Sequence, residues 1–195
     1  MDFKERPIYY AECWLNYTLL YLLMKVHLGV QRKPSHCSGM TECLRTAKRV
    51  IEKYSSNNST KILLIDQEEA EEHRIMLSSF INKFKCSNSC NKKSNKNYNK
   101  YIRIYKCDGG LIIITLKGPP EDAILPNLDP EIKSALKNPD SKKKFKQSKL
   151  RRSVGLIESM LLREGFDCRG FSDVVYRGLC LLYKEIERVV SGCIG

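Results

Sequence analysis

Apolar positions dominate the start of the chain. The stretch from residue 8 to residue 30 is strongly apolar, and Pro7 stands just before its first turn, which is typical of a helix start. Glu12, Lys25 and His27 interrupt this stretch, so it holds no charge-free run of the roughly 18 residues that a membrane span requires. We therefore predict a core helix, or a helix that becomes buried in a homodimer, and no membrane contact.

The following part of the chain switches between helical and strand-like patterns. Apolar residues recur at helical spacing over 41–54 and again over 67–84, which predicts two amphipathic helices. The run KILLID at 61–66 lies between them and is short, continuous and apolar. Such a run is typical of a strand that is covered on both faces.

A hairpin signal comes next. Asp108-Gly109-Gly110 separates two runs that are rich in β-branched and aromatic residues, and glycine adopts the positive φ angles of tight turns at no steric cost. We predict a hairpin over residues 98–117. The polar segment 86–97 before it is expected to be an exposed loop.

Three helices are predicted after the hairpin. Asp129 caps a short helix over 130–137, Gly165 ends a helix that starts near Leu150, and Ser172 caps the last one. The element order α-α-β-α-β-β-α-α-α indicates an α+β fold. We expect a small, mainly antiparallel sheet of about three strands, packed with helices, and a C-terminal helical hairpin.

Positive charge is concentrated in two segments. The chain carries 34 Lys and Arg against 22 Asp and Glu, a net charge of +12. Residues 83–106 contain eight cations and no acid, and residues 133–152 contain nine cations and one acid. The second segment supplies a linker that could divide a single domain over 1–195 into an α/β core over 1–137 and a helical hairpin over 150–192.

Clustered cations are what a polyanion site requires, because each Lys or Arg beside a phosphate releases condensed counterions. The strand after residue 100 adds aromatic rings: alternation places Tyr101, Arg103 and Tyr105 on one face, and Ile102 and Ile104 on the core face. Such rings can stack on unpaired bases, although the same pattern also packs well between strands. The candidate nucleic-acid-binding residues are Lys92, Lys93, Lys96, Lys100, Tyr101, Arg103, Tyr105, Lys142, Lys143, Lys144, Lys146, Lys149, Arg151 and Arg152.

These patterns predict a non-enzymatic nucleic-acid-binding protein that is largely independent of base sequence and slightly favours RNA over DNA. The alternative is a protein–protein interaction module, such as a virus-encoded accessory protein that antagonises a host pathway. Its contact surface would be the apolar first helix or the proline-rich loop 119–130. The basic segment 142–152 also fits a nuclear-localisation signal, and binding to an acidic partner stays open.

The cysteines and the start of the chain bear on compartment and cofactor. The first residues show no apolar leader with a cleavage site, so we expect a cytoplasmic or nuclear protein with reduced cysteines. In that compartment the N-glycosylation patterns at Asn57 and Asn58 would have no role. Zinc is the one cofactor considered, on the weak set Cys86, Cys90 and Cys107, which lacks a second close pair. No catalytic motif is found, so no enzyme is predicted.

Overall fold

The computed structural model describes residues 8–11, 13–37, 39–53, 61–66, 70–90, 99–125, 127–140 and 148–194. The strands within these ranges are β1 (Ile8–Ala11), β2 (Ser35–His36), β3 (Lys61–Asp66), β4 (Ser87–Asn88), β5 (Ile102–Cys107) and β6 (Leu111–Leu116). The α-helices are α1 (Trp14–Leu22), α2 (Met40–Lys53), α3 (Glu71–Lys83), α4 (Pro120–Ala123), α5 (Pro130–Lys137), α6 (Ser148–Leu161) and α7 (Val174–Ile194).

The described strands form one mixed sheet in the order β2-β1-β3-β6-β5-β4. Strands β2, β1, β3 and β6 are parallel neighbours, whereas β5 is antiparallel to both β6 and β4. The predicted mixture of helices and strands, the strand at 61–66 and the hairpin are therefore confirmed. The prediction of about three mainly antiparallel strands is wrong, because the described sheet has six strands and more of its pairings are parallel than antiparallel.

The additional strands are short, which is why the hydrophobic pattern did not separate them. Strand β1 has four residues and runs into the apolar sequence of α1, while β2 and β4 have two residues each. The prediction of one helix over 8–30 is thus wrong at its start. Helix α1 is preceded by Cys13, whose Sγ accepts a hydrogen bond from the backbone N–H of Asn16, and continues as a π-helical turn at Leu23–His27. Among the described helices, none has the length and hydropathy of a membrane span.

Helices cover the two faces of the sheet unequally. One face, here called the four-helix face, packs α1, α5, α6 and α7 over side chains such as Ile62 and Ile104. The other, the two-helix face, packs α2 and α3, and none of the other described helices, over Leu63, Ile65 and Ile113. Helices α6 and α7, which correspond to the predicted C-terminal hairpin, share the core of the four-helix face with the sheet.

Local details of the C-terminal helices partly follow the sequence predictions. Asp129 caps α5 as predicted, since its carboxylate accepts a hydrogen bond from the backbone N–H of Glu131 at 2.8 Å. The cap of α7 is Asp173 rather than Ser172, because Asp173 accepts from the backbone N–H groups at positions 175 and 176. Gly178 lets α5 approach α7 closely: a Cβ there would lie 2.6 Å from Cγ2 of Ile132.

Four disulfides join eight of the nine cysteines, all of which lie in described ranges. The pairs are Cys37–Cys43, Cys86–Cys107, Cys90–Cys193 and Cys168–Cys180, and Cys13 belongs to none of these disulfides. The expectation of reduced cysteines is therefore wrong. It rested on the absence of a leader, whereas pairing depends on which residues the fold brings together, and spacing along the chain does not show that.

Candidate nucleic-acid interface

Strand β5 presents its two faces as alternation predicts. Ile102 and Ile104 are fully buried in the core, whereas Arg103 is exposed and Tyr105 is half-buried. Tyr105 packs against the two-helix face, while Tyr101 packs against the four-helix face. The prediction of Tyr101, Arg103 and Tyr105 on one face is therefore wrong for Tyr101. That residue precedes the first residue of the strand, and the two-residue period does not extend beyond the strand.

The turn that leads into β5 is held firmly in place. The Nδ2 of Asn99 donates to the backbone oxygen of Ile124 at 3.1 Å and to Oε1 of Glu185 at 2.6 Å. Its Oδ1 accepts from the backbone N–H of Tyr101 at 2.9 Å. Lys100 is exposed, and its Nζ lies 4.8 Å from the centroid of the Tyr101 ring. This cation–π contact covers part of the ring that a base would use for stacking.

Cys90, the described residue before the acid-free segment 91–98, is held in place by several contacts. Cys90 is buried and bonded to Cys193 at the end of α7. Its backbone N–H donates to Oδ1 of Asn88, and the preceding residue Ser89 donates its backbone N–H to the carbonyl of Ile104 on β5. Lys92, Lys93 and Lys96 themselves lie outside the described residues. Cys90 and Asn99, the described residues that flank these lysines in the sequence, both lie beside β5.

Lys117 is a cation at this site that the sequence analysis did not single out. It follows β6 directly, is exposed, and donates its backbone N–H to the carbonyl of Tyr101 at 2.8 Å. The hairpin turn at 108–110 sets the register that pairs Leu116 with Ile102, so Lys117 must lie opposite Tyr101. The sequence could have indicated this residue through the register, because a turn at 108–110 places Lys117 next to the strand that carries the tyrosines.

The second basic segment meets the described structure on the other side of the sheet. Lys142, Lys143, Lys144 and Lys146 lie outside the described residues. Lys149 and Arg151 fall in α6, where their side chains are likewise outside the described part, and Arg152 is exposed on the same helix. Because α6 packs on the four-helix face and Arg103 projects from the opposite face, Arg103 and Arg152 do not share a surface.

The weak zinc set is disulfide-bonded. Cys86 pairs with Cys107, and Cys90 pairs with Cys193, so these sulfurs are not available as thiolate ligands. No group of three or more metal-ligating side chains occurs among the described residues. The contact surface expected for a protein–protein module also changes, because α1 is buried in the core rather than exposed.

A polar pair lies at the carboxyl edge of the parallel strands. Asn16 donates its Nδ2 to Oδ1 of Asp66 at 2.8 Å, which links the turn after β1 to the end of β3. Asn16 is fully buried, and its Oδ1 has no hydrogen-bond partner among the residues that the structure describes. Strands β2 and β3, the next two along the chain, lie on opposite sides of β1, so the strand order reverses here. Such a reversal is the usual place of ligand sites in open parallel sheets. The sequence offered no signal for it, because the end of the four-residue β1 could not be located.

Comparison of the chain with protein-family models, with curated proteins and with solved structures finds no match.

Proposed function

We propose that the protein is a non-enzymatic, single-strand-selective nucleic-acid-binding protein, with RNA favoured over DNA, and that it binds along β5 and the adjoining segment 91–98. One observation carries the proposal. Cys90 and Asn99, the described residues on either side of the acid-free segment 91–98, are held by a disulfide and by hydrogen bonds, and both lie beside the strand that presents exposed Arg103. Cations held near one another can contact several phosphates of one strand at once.

The cations at this edge are available to phosphates. Lys100, Arg103 and Lys117 are exposed, and within the described part of the chain none of the three forms an ion pair. Elsewhere cations are committed, as Arg169 is to Asp167 at 2.6 Å. Lys61 is buried and donates its Nζ to the carbonyl of Gly109, and burial lowers its pKa. The unpaired, exposed cations are the ones whose counterions a nucleic acid would release.

Single-stranded ligands fit this edge better than duplexes do. The half-buried rings of Tyr101 and Tyr105 pack against opposite faces of the sheet, and Arg103 lies on the face of Tyr105, so the three side chains do not form one flat platform. The exposed cations of this edge, Lys100, Arg103 and Lys117, lie on β5 or in the residues next to β5 and β6, so they are not presented by a helix of the kind that enters the major groove in sequence-specific duplex recognition. Recognition would therefore rest on phosphate contacts and stacking.

A charge-matched pair of variants tests the site. In Lys100→Gln/Arg103→Gln the log–log salt slope for a single-stranded RNA should fall by about 1.4, at about 0.7 per lost phosphate contact. The control Arg32→Gln/Lys33→Gln removes the same charge from the exposed loop before β2, at the opposite edge of the sheet. Its slope should match that of the wild type. An equal fall of the salt slope in both variants would mean that binding depends only on net charge, and would contradict a site at β5.

The disulfides support an oxidising compartment in place of the cytoplasm and nucleus expected from the sequence. In such a compartment Asn57 and Asn58, which lie outside the described residues, would become glycosylation acceptors. A maleimide reagent tests the pairing: unfolded but unreduced protein should label at one thiol, and reduced protein at nine. Labelling of nine thiols without reduction would contradict the four disulfides and favour a reducing compartment.

A further inference from the structure

An open apolar groove runs between α2 and α3 on the two-helix face. Its volume is about 610 Å³. Leu44 of α2 and Met76 and Phe80 of α3 line its length, and the rings of Phe80 and Phe84 lie 4.6 Å apart at one end. Ile75 of α3 also lines the groove, and 62% of its surface is exposed. A large aliphatic side chain with that exposure, beside a groove of apolar side chains, is typical of a surface that a helix covers.

The two helices that form the groove run in the same direction. Helix α2 leads into the start of β3 and α3 leaves its end, so both run antiparallel to β3 and their N-termini lie at the same end of the groove. The ion pair between Lys83 and Glu52, at 2.8 Å, joins their C-terminal ends and agrees with this arrangement. The groove therefore has an N-terminal end and a C-terminal end.

Opposite charges mark these two ends. Glu71 and Glu72 occupy the first turn of α3, and Glu72 lines the groove. At the other end Lys48 and Lys83 line the groove around one carboxylate: the hydrogen bond from Lys83 lowers the pKa of Glu52, and the charges of both lysines add to the effect. The C-terminal end keeps an uncompensated positive charge. An occupant must consequently carry positive charge at one end and negative charge at the other.

We propose that the occupant is a second copy of this chain, docked by a two-fold axis so that the α3 helices of the two copies cross antiparallel over the groove. A two-fold operation places the N-terminal end of each groove against the C-terminal end of the other, so the charges pair in both directions. Glu72 and Lys83 are eleven residues apart, which is about 16 Å along a helix at about 1.5 Å per residue. When Glu72 faces the partner's Lys83, Ile75 faces the partner's Phe80 and fills its groove.

This inference goes beyond the proposed function and does not depend on it. The first test is the oligomeric state of the full, disulfide-intact chain, measured by sedimentation equilibrium up to about 100 µM. Wild type should be a dimer, and Ile75→Glu should be a folded monomer. Leu162→Glu is the matched control, because Leu162 is 67% exposed and follows α6 on the four-helix face. A monomeric wild type over the whole concentration range, or equal effects of the two variants, would overturn the proposal.

Charge exchange tests the two-fold geometry itself. Glu72→Lys alone and Lys83→Glu alone should each raise the dimer dissociation constant about tenfold, because each places two like-charged pairs across the interface. Mixing the two variants should restore the wild-type value, since a mixed dimer contains one native pair and one reversed pair. Circular dichroism of each variant checks that it folds. Failure of the mixture to dimerise better than the single variants would refute the two-fold arrangement.

Discussion

Removal of the Cys90–Cys193 disulfide should cost more stability than removal of any short-range disulfide. The two cysteines are 103 residues apart, and both are buried. In the loop-entropy account, a bond across about 100 residues stabilises the folded chain by about 4.7 kcal/mol, because it restricts the unfolded chain. For Cys168–Cys180, with a separation of 12, the same relation gives about 2.8 kcal/mol. The difference of about 2 kcal/mol is the quantity to measure.

The assay is urea unfolding of Cys90→Ala/Cys193→Ala against Cys168→Ala/Cys180→Ala, in which all four replaced side chains are buried. The first variant should also bind single-stranded RNA more weakly, because the segment 91–98 loses one of its fixed ends, whereas the second should bind like wild type. Equal free energies of unfolding in the two variants would refute the loop-entropy reasoning. Unchanged RNA affinity in the first variant would refute the role of the anchor.

Substitutions at three further positions test the packing, capping and electrostatics of the fold. Gly178→Ala places a Cβ 2.6 Å from Cγ2 of Ile132 and should lower the free energy of unfolding by about 1–3 kcal/mol; a neutral effect in urea unfolding would mean that α5 can move away freely. Asp129→Ala removes the cap of α5 and should cost about 1 kcal/mol, and Asp129→Asn should restore most of it. Burial raises the pKa of Glu121 above its ordinary value of 4.5, so the folded chain holds that proton more tightly than the unfolded chain and ionisation destabilises the fold. Glu121→Gln should therefore raise the thermal midpoint at pH 7, with a gain that disappears as the pH falls below 4.5; a gain independent of pH would contradict this.

The elements that could be predicted from the sequence are those with an internal pattern long enough to read. The run at 61–66 forms β3 because both of its faces are covered, and the turn at 108–110 fixes the hairpin of β5 and β6. Asp129 caps α5 through its own side chain, a contact within three residues. The hairpin turn and the Asp129 cap are determined by local interactions, and β3 is recognisable because it is apolar on both faces.

The elements that escaped prediction depend on contacts between distant parts of the chain. Strand β1 is recognisable only through its pairing with β3, since its four residues continue into the apolar sequence of α1. The four disulfides depend on distances in space, which the cysteine spacing does not show. Alternation places Tyr101 on the wrong face because β5 begins at Ile102, one residue after it.

The candidate site divides in the same way. Arg103 and the burial of Ile102 and Ile104 follow from alternation within one strand, and the structure agrees. Lys117 lies at the candidate site because of the hairpin register, which alternation within one strand does not show. Arg152 does not lie there, because α6 packs on the other face of the sheet. The charge pattern indicated which cations were concentrated, but only the fold shows which of them share an edge.

Nucleic-acid binding is decided by fluorescence anisotropy of the disulfide-intact protein with single-stranded RNA, duplex RNA and duplex DNA, each at several salt concentrations. We expect micromolar or tighter binding to single-stranded RNA, with a log–log salt slope of about 2 or steeper if Lys100, Arg103 and Lys117 all contact phosphates. We also expect weaker binding to both duplexes. Equal affinity for all three ligands would contradict the single-strand assignment, and no binding near physiological salt would contradict nucleic-acid binding altogether.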